Sequence, residues 1–205
     1  MKMHGDTRVD EYSWLQDRKK SKVTEYLNAE NTYADTLMRP TRRLQKGLYK
    51  EMRSRIVQDD MSVPVKDGPY YYYVRTRKNE ERAIHCRKRG LNGKEEVILD
   101  ENKLAKGKPF FLLGSAEVNP EHTMLAYSYD VTGNEHYSLV IKDLRTGKLL
   151  GEQIASVGDV AWAEDQTHLL YTKEAHPYPP RQLFLHKLGD NPKDDTLVYE
   201  DKDIQ

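Results

Sequence analysis

The heptapeptides SLVIKDL (Ser138–Leu144) and QLFLHKL (Gln182–Leu188) are one pattern written twice. At a constant offset of 44 residues, Leu139 meets Leu183, Val140 meets Phe184, Ile141 meets Leu185 and Leu144 meets Leu188. The same offset carries LAYSYD (Leu125–Asp130) onto LLYTKE (Leu169–Glu174), with Tyr127 on Tyr171. An earlier copy aligns at a longer offset, 56 residues from Tyr71 to Tyr127 and 55 from Ile84 to Leu139. A turn element opens each copy: Lys66–Pro69, then Asn119–His122, then Ala163–Gln166. A self-similar unit of about 45 residues with about four short strands is the signature of a propeller blade. The strands are expected at Tyr70–Arg75, Ala83–Arg87, Glu96–Leu99, Met124–Tyr129, Ser138–Leu144, His168–Tyr171, Leu183–Leu188 and Thr196–Tyr199, with no helix between them.

Before Ser62 the spacing differs. Val23, Tyr26, Leu27, Ala34, Leu37 and Met38 recur at intervals of three and four, which gathers them on one helical face. Ser21 is expected to cap that helix and Pro40 to stop or restart it. Leu44, Leu48, Met52 and Ile56 suggest a second helix, weakened by Gly47. The expected fold class is therefore mainly β. A helical arm over residues 1–62 precedes an incomplete β-propeller of about three blades over residues 63–205.

The stretch YYYYV (Tyr70–Val74) tests this reading. A sheet covered on both faces by neighbouring blades need not alternate apolar and polar residues, so four consecutive tyrosines are expected to be buried. The alternative is a single-strand nucleic-acid surface, since Arg75, Arg77 and Lys78 follow directly. Residues 75–94 carry eight basic and two acidic side chains, but the whole chain balances 33 basic against 33 acidic. No global field draws it to nucleic acid or an anionic membrane. The lone cysteine, Cys86, fits a reducing compartment. No apolar run approaches the ~20 residues of a membrane span, and the start MKMHGDTRVDEY has no signal-peptide core. A cytoplasmic protein is expected, with no nucleic acid and no membrane as partner.

Reactive constellations are sparse. There is no Gly-x-Ser-x-Gly elbow; Gly114–Ser115 comes nearest and reads as a loop serine. His4, His85, His122, His136, His168, His176 and His186 form no His-Glu-x-x-His, and Cys86 cannot make a Cys-x-x-Cys zinc site. Cys86 itself reads as a structural thiol, although a neighbouring positive charge would favour its thiolate. The pairs Asp59–Asp60, Glu80–Glu81, Glu95–Glu96 and Asp194–Asp195 are adjacent in sequence, so their side chains diverge and make poor acid–base pairs. No catalytic, cofactor-binding or metal-binding residue is expected, and no cofactor.

Two groups of motifs carry a resemblance. The first is His4–Leu15 (HGDTRVDEYSWL) followed by Tyr26–Tyr33 (YLNAENTY). The second runs through Asp67–Gly68, Tyr71–Tyr73, Leu99–Asn102, Leu125–Ser128, Gly133–Glu135, Asp143–Gly147, Trp162–Asp165 and Tyr171–Thr172. Taken in order along essentially the whole chain, they resemble the prolyl oligopeptidase family of serine peptidases, most closely its oligopeptidase B branch. Departures fall at Asn79–Ala83, where the family has Gly and then Glu-Tyr-Pro, and at Asn119–His122, which replaces Ser-Pro-Asp-x. The resemblance implies an α/β-hydrolase peptidase domain capped by a seven-bladed propeller that admits only short peptides. It implies that the arm packs on the peptidase domain, and that cleavage follows Lys or Arg by a Ser-His-Asp triad with an oxyanion hole. Those catalytic residues belong to the family's C-terminal domain, so none is carried onto this chain, which alone is expected to be inactive. About three blades cannot close a ring, and the arm's apolar face implies a missing partner. The chain thus reads as a truncated product or one piece of a split reading frame. The competing expectation is a non-enzymatic module that binds an anionic partner through Arg75–Lys94 or through open blade edges.

Overall fold

The computed structural model describes residues 2–7, 9–175 and 178–201; Arg8, His176 and Asp203–Gln205 lie outside them. The chain divides into two compact units, residues 1–57 and 58–205.

The first unit is built on helices. A short hairpin, β1 (Lys2–Met3) with β2 (Asp6–Thr7), and a 3₁₀ turn at Ser13–Gln16 lead into α1 (Ser21–Met38). Ser21 is the first helical residue rather than the cap: Lys20 holds the cap position and no side chain bonds there. Pro40 falls early in a 3₁₀ turn, Arg39–Thr41, where a missing N–H costs little, so the chain restarts at once as α2 (Arg42–Ser54). Ile56 lies beyond the end of α2, which leaves Leu44, Leu48 and Met52 as its apolar row. All three are exposed; among the described residues of the two helices only Val23 is buried.

The second unit holds three four-stranded antiparallel sheets, each in sequence order. The first contains β3 (Val65–Asp67), β4 (Tyr70–Arg75), β5 (Ile84–Arg89) and β6 (Glu95–Asp100). The second contains β7 (Leu112–Val118), β8 (Met124–Asp130), β9 (Ser138–Asp143) and β10 (Leu149–Ala155). The third contains β11 (Val157–Trp162), β12 (His168–Ala175), β13 (Tyr178–Lys187) and β14 (Thr196–Glu200). Every strand expected from sequence is present. The repeat is structural as well: Tyr127 sits opposite Val140 in the second sheet and Tyr171 opposite Phe184 in the third.

Three features depart from expectation. β3, β7, β10 and β11 were not expected. β3 is only three residues long; the others carry Gly114, Gly151 and Gly158, and their pairings contain register shifts. One helical turn does interrupt the strands: α3 (Glu101–Ala105) follows Asp100, whose carboxylate accepts from the Asn102 and Lys103 amides as an N-cap. The first copy of the repeat is also out of register, with Ile84 opposite Arg75 rather than opposite Tyr72, where the alignment would place it.

The core lies in two seams. Leu99, Leu125, Tyr127 and Val140 fill the seam between the first and second sheets. Ala126, Leu139, Ile141, Ile154, Val157, Val160, Leu169 and Tyr171 fill the seam between the second and third. Successive residues of β8 and β9 thus enter opposite seams, which is why their sequences do not alternate. The first sheet has a neighbouring sheet on one face only. Of its four tyrosines Tyr73 is buried and Tyr70, Tyr71 and Tyr72 are half-buried, less than the sequence reading required. Leu169→Ala, in the second seam, should lower unfolding stability by about 2–5 kcal/mol. Leu197→Ala, on an exposed position of β14, should change it by less than about 0.5 kcal/mol. Urea titration of both variants checks this.

Candidate functional site

The turn elements that open the repeats do more than reverse the chain, because the second and the third each reach back to the one before. In the first seam His122 has a positive φ of 59° and lays its ring against the turn that precedes β4. Its Nδ1 lies 2.9 Å from the Tyr72 hydroxyl, and its ring centroid is 5.5 Å from that of Tyr70. Gly68, at φ +53°, leaves room for it: a Cβ there would come within 2.2 Å of His122 Nε2. Arg87, almost fully buried, donates to the His122 carbonyl and to Glu96 (2.8 Å), and its guanidinium stands over the Tyr70 ring. In the second seam Gln166 repeats the gesture from the third turn. Its Oε1 accepts from the Glu121 amide at 3.1 Å and from Asn119 Nδ2 at 3.3 Å. Asn119 in turn accepts from the Thr123 and Met124 amides. Trp162 adds a tie at 2.9 Å to the Glu117 carbonyl.

Beside the first seam lies a cleft of about 410 Å³, lined by Val63, Val65, Tyr72, Val74, Leu99 and Val118. That volume suits a small molecule or a side chain. Its walls are mixed, because Asp67, His85, Cys86 and Glu117 line it as well. His85 is already paired with Glu101, and burial raises both the Glu117 carboxyl and the Cys86 thiol.

The residues singled out in sequence are dispersed. His85 pairs with Glu101 at 3.0 Å, His168 with Asp165 at 2.6 Å and His186 with Asp195 at 2.7 Å. No group of three metal-ligating side chains converges among the described residues. Ser115 lies in β7, not in a loop; its hydroxyl meets Ser128 Oγ at 3.1 Å. Glu95 and Glu96 diverge as expected, Glu95 to Arg75 on one face and Glu96 to Arg87 on the other. Four of the eight basic residues of 75–94 are answered from within. Arg75 binds Glu95, Arg77 binds Glu80, Arg82 donates to the Phe111 carbonyl and Arg87 binds Glu96. Cys86 is buried, and burial pushes its thiol up to about 11 even though Arg75 stands near it; a structural thiol is what the geometry supports. Sequence reasoning did not find the buried chain Tyr171–Asp195–His186, in which Asp195 also accepts from the Tyr171 hydroxyl at 2.8 Å. Its members are 24 and nine residues apart, a spacing without a motif. Asp130 and Asp143, which the sequence places only at the ends of repeat strands, close the turns that follow β8 and β9. Burial would push the Asp130 carboxyl up, but bonds from Thr132 and Glu135 hold it below its usual range. Arg145 does the same for Asp143.

Gly68→Ala should destabilise the second unit by more than about 1 kcal/mol, since the new Cβ meets both a left-handed backbone and the His122 ring. Combining it with His122→Ala should recover part of the loss, measured as a double-mutant cycle. Cys86 should react with thiol reagents at about pH 8 only after denaturation, because the folded thiol stays protonated there.

The architecture has close counterparts. Protease 2 of Moraxella lacunata is 35% identical over 210 residues, covering 98% of this chain and 30% of that protein. Dipeptidyl aminopeptidase BI of Pseudoxanthomonas mexicana is 34% identical over 220 residues, again covering 98% and 30%. The structure of oligopeptidase B from Leishmania major superposes with a TM-score of 0.89 at 31% identity, covering 96% of this chain and 29% of that one. The chain thus spans about 30% of the length of these curated relatives. Residues 1–205 match the sequence family described as prolyl oligopeptidase, N-terminal beta-propeller domain. Repeat, sheet order and match agree: the chain belongs to the prolyl oligopeptidase family, as an oligopeptidase B-like N-terminal propeller region.

Proposed function

We propose that this chain provides the arm and the first blades of the gating propeller of a cytoplasmic serine endopeptidase of the oligopeptidase B type. In this reading an α/β-hydrolase domain carries the Ser-His-Asp triad, and short peptides are cut after Lys or Arg. The role of the 205 residues is steric and positional: the sheets narrow the approach to the catalytic domain, and the arm docks on it. Neither nucleic acid nor a membrane is a partner in this proposal. No helix among the described residues is long and apolar enough to cross a membrane.

The observation that carries the reading is the single likeness to oligopeptidase B that runs through arm and sheets alike, at a TM-score of 0.89. The exposed row Leu44, Leu48 and Met52 on α2 supports it, because such a row suits a docking face. An interaction module for an anionic partner has less support, since Arg75, Arg77, Arg82 and Arg87 already have acceptors within the sheets.

A chimera tests the proposal. These residues would replace the matched region of the Moraxella lacunata protein. The chimera should hydrolyse short Lys- or Arg-containing peptides, leave folded proteins intact and lose activity to a serine-directed inhibitor. Cleavage of folded proteins, or no preference for Lys and Arg, would overturn it. The 205-residue chain alone should leave the same peptides uncut.

A further inference from the structure

Along β10 the covered and exposed residues alternate. Leu150, Glu152 and Ile154 are the more covered, and Leu149, Gly151 and Gln153 are exposed. Leu150 and Ile154 join the second-seam cluster with Leu169, Tyr171, Phe184 and Leu188, so Glu152 enters that seam as well. One of its oxygens accepts from the Gly189 amide, just past β13. The other, Oε2, is buried without a hydrogen-bond partner. From the opposite sheet His186, wholly buried, shares the face of Phe184, since Leu169 and Tyr171 stand opposite the two of them. Its Nδ1 lies 2.7 Å from Asp195 Oδ1. An ionised carboxylate can only accept, so in the neutral ring Nδ1 carries the proton and Nε2 is a bare acceptor. Nε2 is also buried without a partner, and with Glu152 Oε2 it makes up the full set of such side-chain atoms among the described residues. Two orphaned acceptors therefore occupy one seam with no donor between them, and each carries a desolvation cost.

We propose that Glu152 and His186 form a proton-binding latch between the second and third blades. A single proton taken from solvent turns one acceptor into a donor, and one hydrogen bond then satisfies both atoms. As seen here the latch is open. The two side chains are not in ion-pair contact, and closure requires Glu152 to turn from Gly189 towards the ring. His186 bonds Asp195, which also takes the Tyr171 hydroxyl, and Glu152 reaches the same end of β13 through Gly189. Lys173 of β12 lies further along the same face, its ammonium over the Phe184 ring at 4.9 Å. Lys187 is exposed, as are Lys193 and Asp194 in the 3₁₀ turn at Pro192–Asp194. No Lys or Arg among the described residues pairs with Glu152 or Asp195. The latch is independent of any peptidase activity.

Glu152→Gln tests it, because the amide supplies a donor at every pH. In the full chain at about pH 8 the variant should melt about 2–4 °C above the parent. The gain should vanish by about pH 5, where a bridging proton in the parent does what the amide donor does in the variant. A lower Tm at pH 8, or a gain that does not change with pH, would overturn the latch. Nitrogen-15 NMR of the parent gives a second readout that needs no variant to fold. It should show His186 in the Nδ1–H tautomer at pH 8; an Nε2–H ring there would refute the proposal.

Discussion

Everything in the second unit depends on the middle sheet being buried on both faces. Leu125, Tyr127 and Val140 point into one seam while Ala126, Leu139 and Ile141 point into the other. Burying a large apolar side chain contributes roughly 1.5–3 kcal/mol. Ordering the backbone costs about 1–2 kcal/mol per residue. A single four-stranded sheet of this composition, with half its residues outside any seam, cannot offset that cost. Stacking changes the balance, since each seam recruits residues from two sheets and the middle sheet serves both. The outer sheets are stable only through it, and their free faces differ: Leu170, Leu183 and Leu185 lie half-buried on that of the third sheet, and polar groups finish that of the first. On the first sheet, Arg75 and the Tyr73 hydroxyl both bond Glu95 above buried Ile84 and Cys86.

Apolar burial is non-directional and would tolerate sheets that slide or rotate. The turn elements remove that freedom. His122 of the second turn is fixed against Gly68 and Tyr72 of the first blade, and Gln166 of the third turn is fixed against Asn119 and Glu121 of the second. A blade is thus indexed to its neighbour through the segment that starts it. The residue types follow from the geometry. The second turn needs a left-handed residue at position 122 and the third at position 166, and His and Gln occupy them with φ of 59° and 67°. Side chains leaving such positions project away from their own strand. The strain in each turn therefore accompanies the reach across the seam.

Much of this was legible in the chain. Tyr127 and Tyr171 declared themselves as equivalents because both are buried seam residues on the second strand of their sheets, where the position dictates the side chain. Inner and outer strands were harder. β7, β10 and β11 contain glycines and shifts of register, so the run of apolar residues that betrays a strand is thinned within each. The first repeat misled for a related reason. Residues 76–83 end the β4–β5 hairpin with Asn79 in a left-handed conformation, and Ile84 pairs three positions away from the alignment. A run of tyrosines suits a doubly covered strand, but coverage belongs to the neighbouring sheet, not to the strand's own sequence. The seam side chains were least legible. His122 looked like any strand histidine, and Asp195 like half of an acidic pair, until folding placed Tyr171 and His186 beside it.

The arm obeys a different rule from the sheets. α1 has 18 residues and α2 has 13, and at the latter length an isolated helix in water is marginal even with favourable composition. Proteins normally stabilise such helices by packing an apolar face, yet in these two only Val23 is buried, while Leu44 and Met52 are 63% and 60% exposed. Local pairs such as Arg55 with Glu51, and Trp14 edge-on to Tyr26 with ring centroids 5.4 Å apart, are surface interactions of small worth. The helices therefore lack within their own unit the burial that would fix them. Their sequence is committed to a surface that the arm itself does not contain, and on the proposed reading that surface is the catalytic domain. Dependence of this kind would make the arm's order a sensor of docking: the helices gain their full stability only when the apolar row is covered.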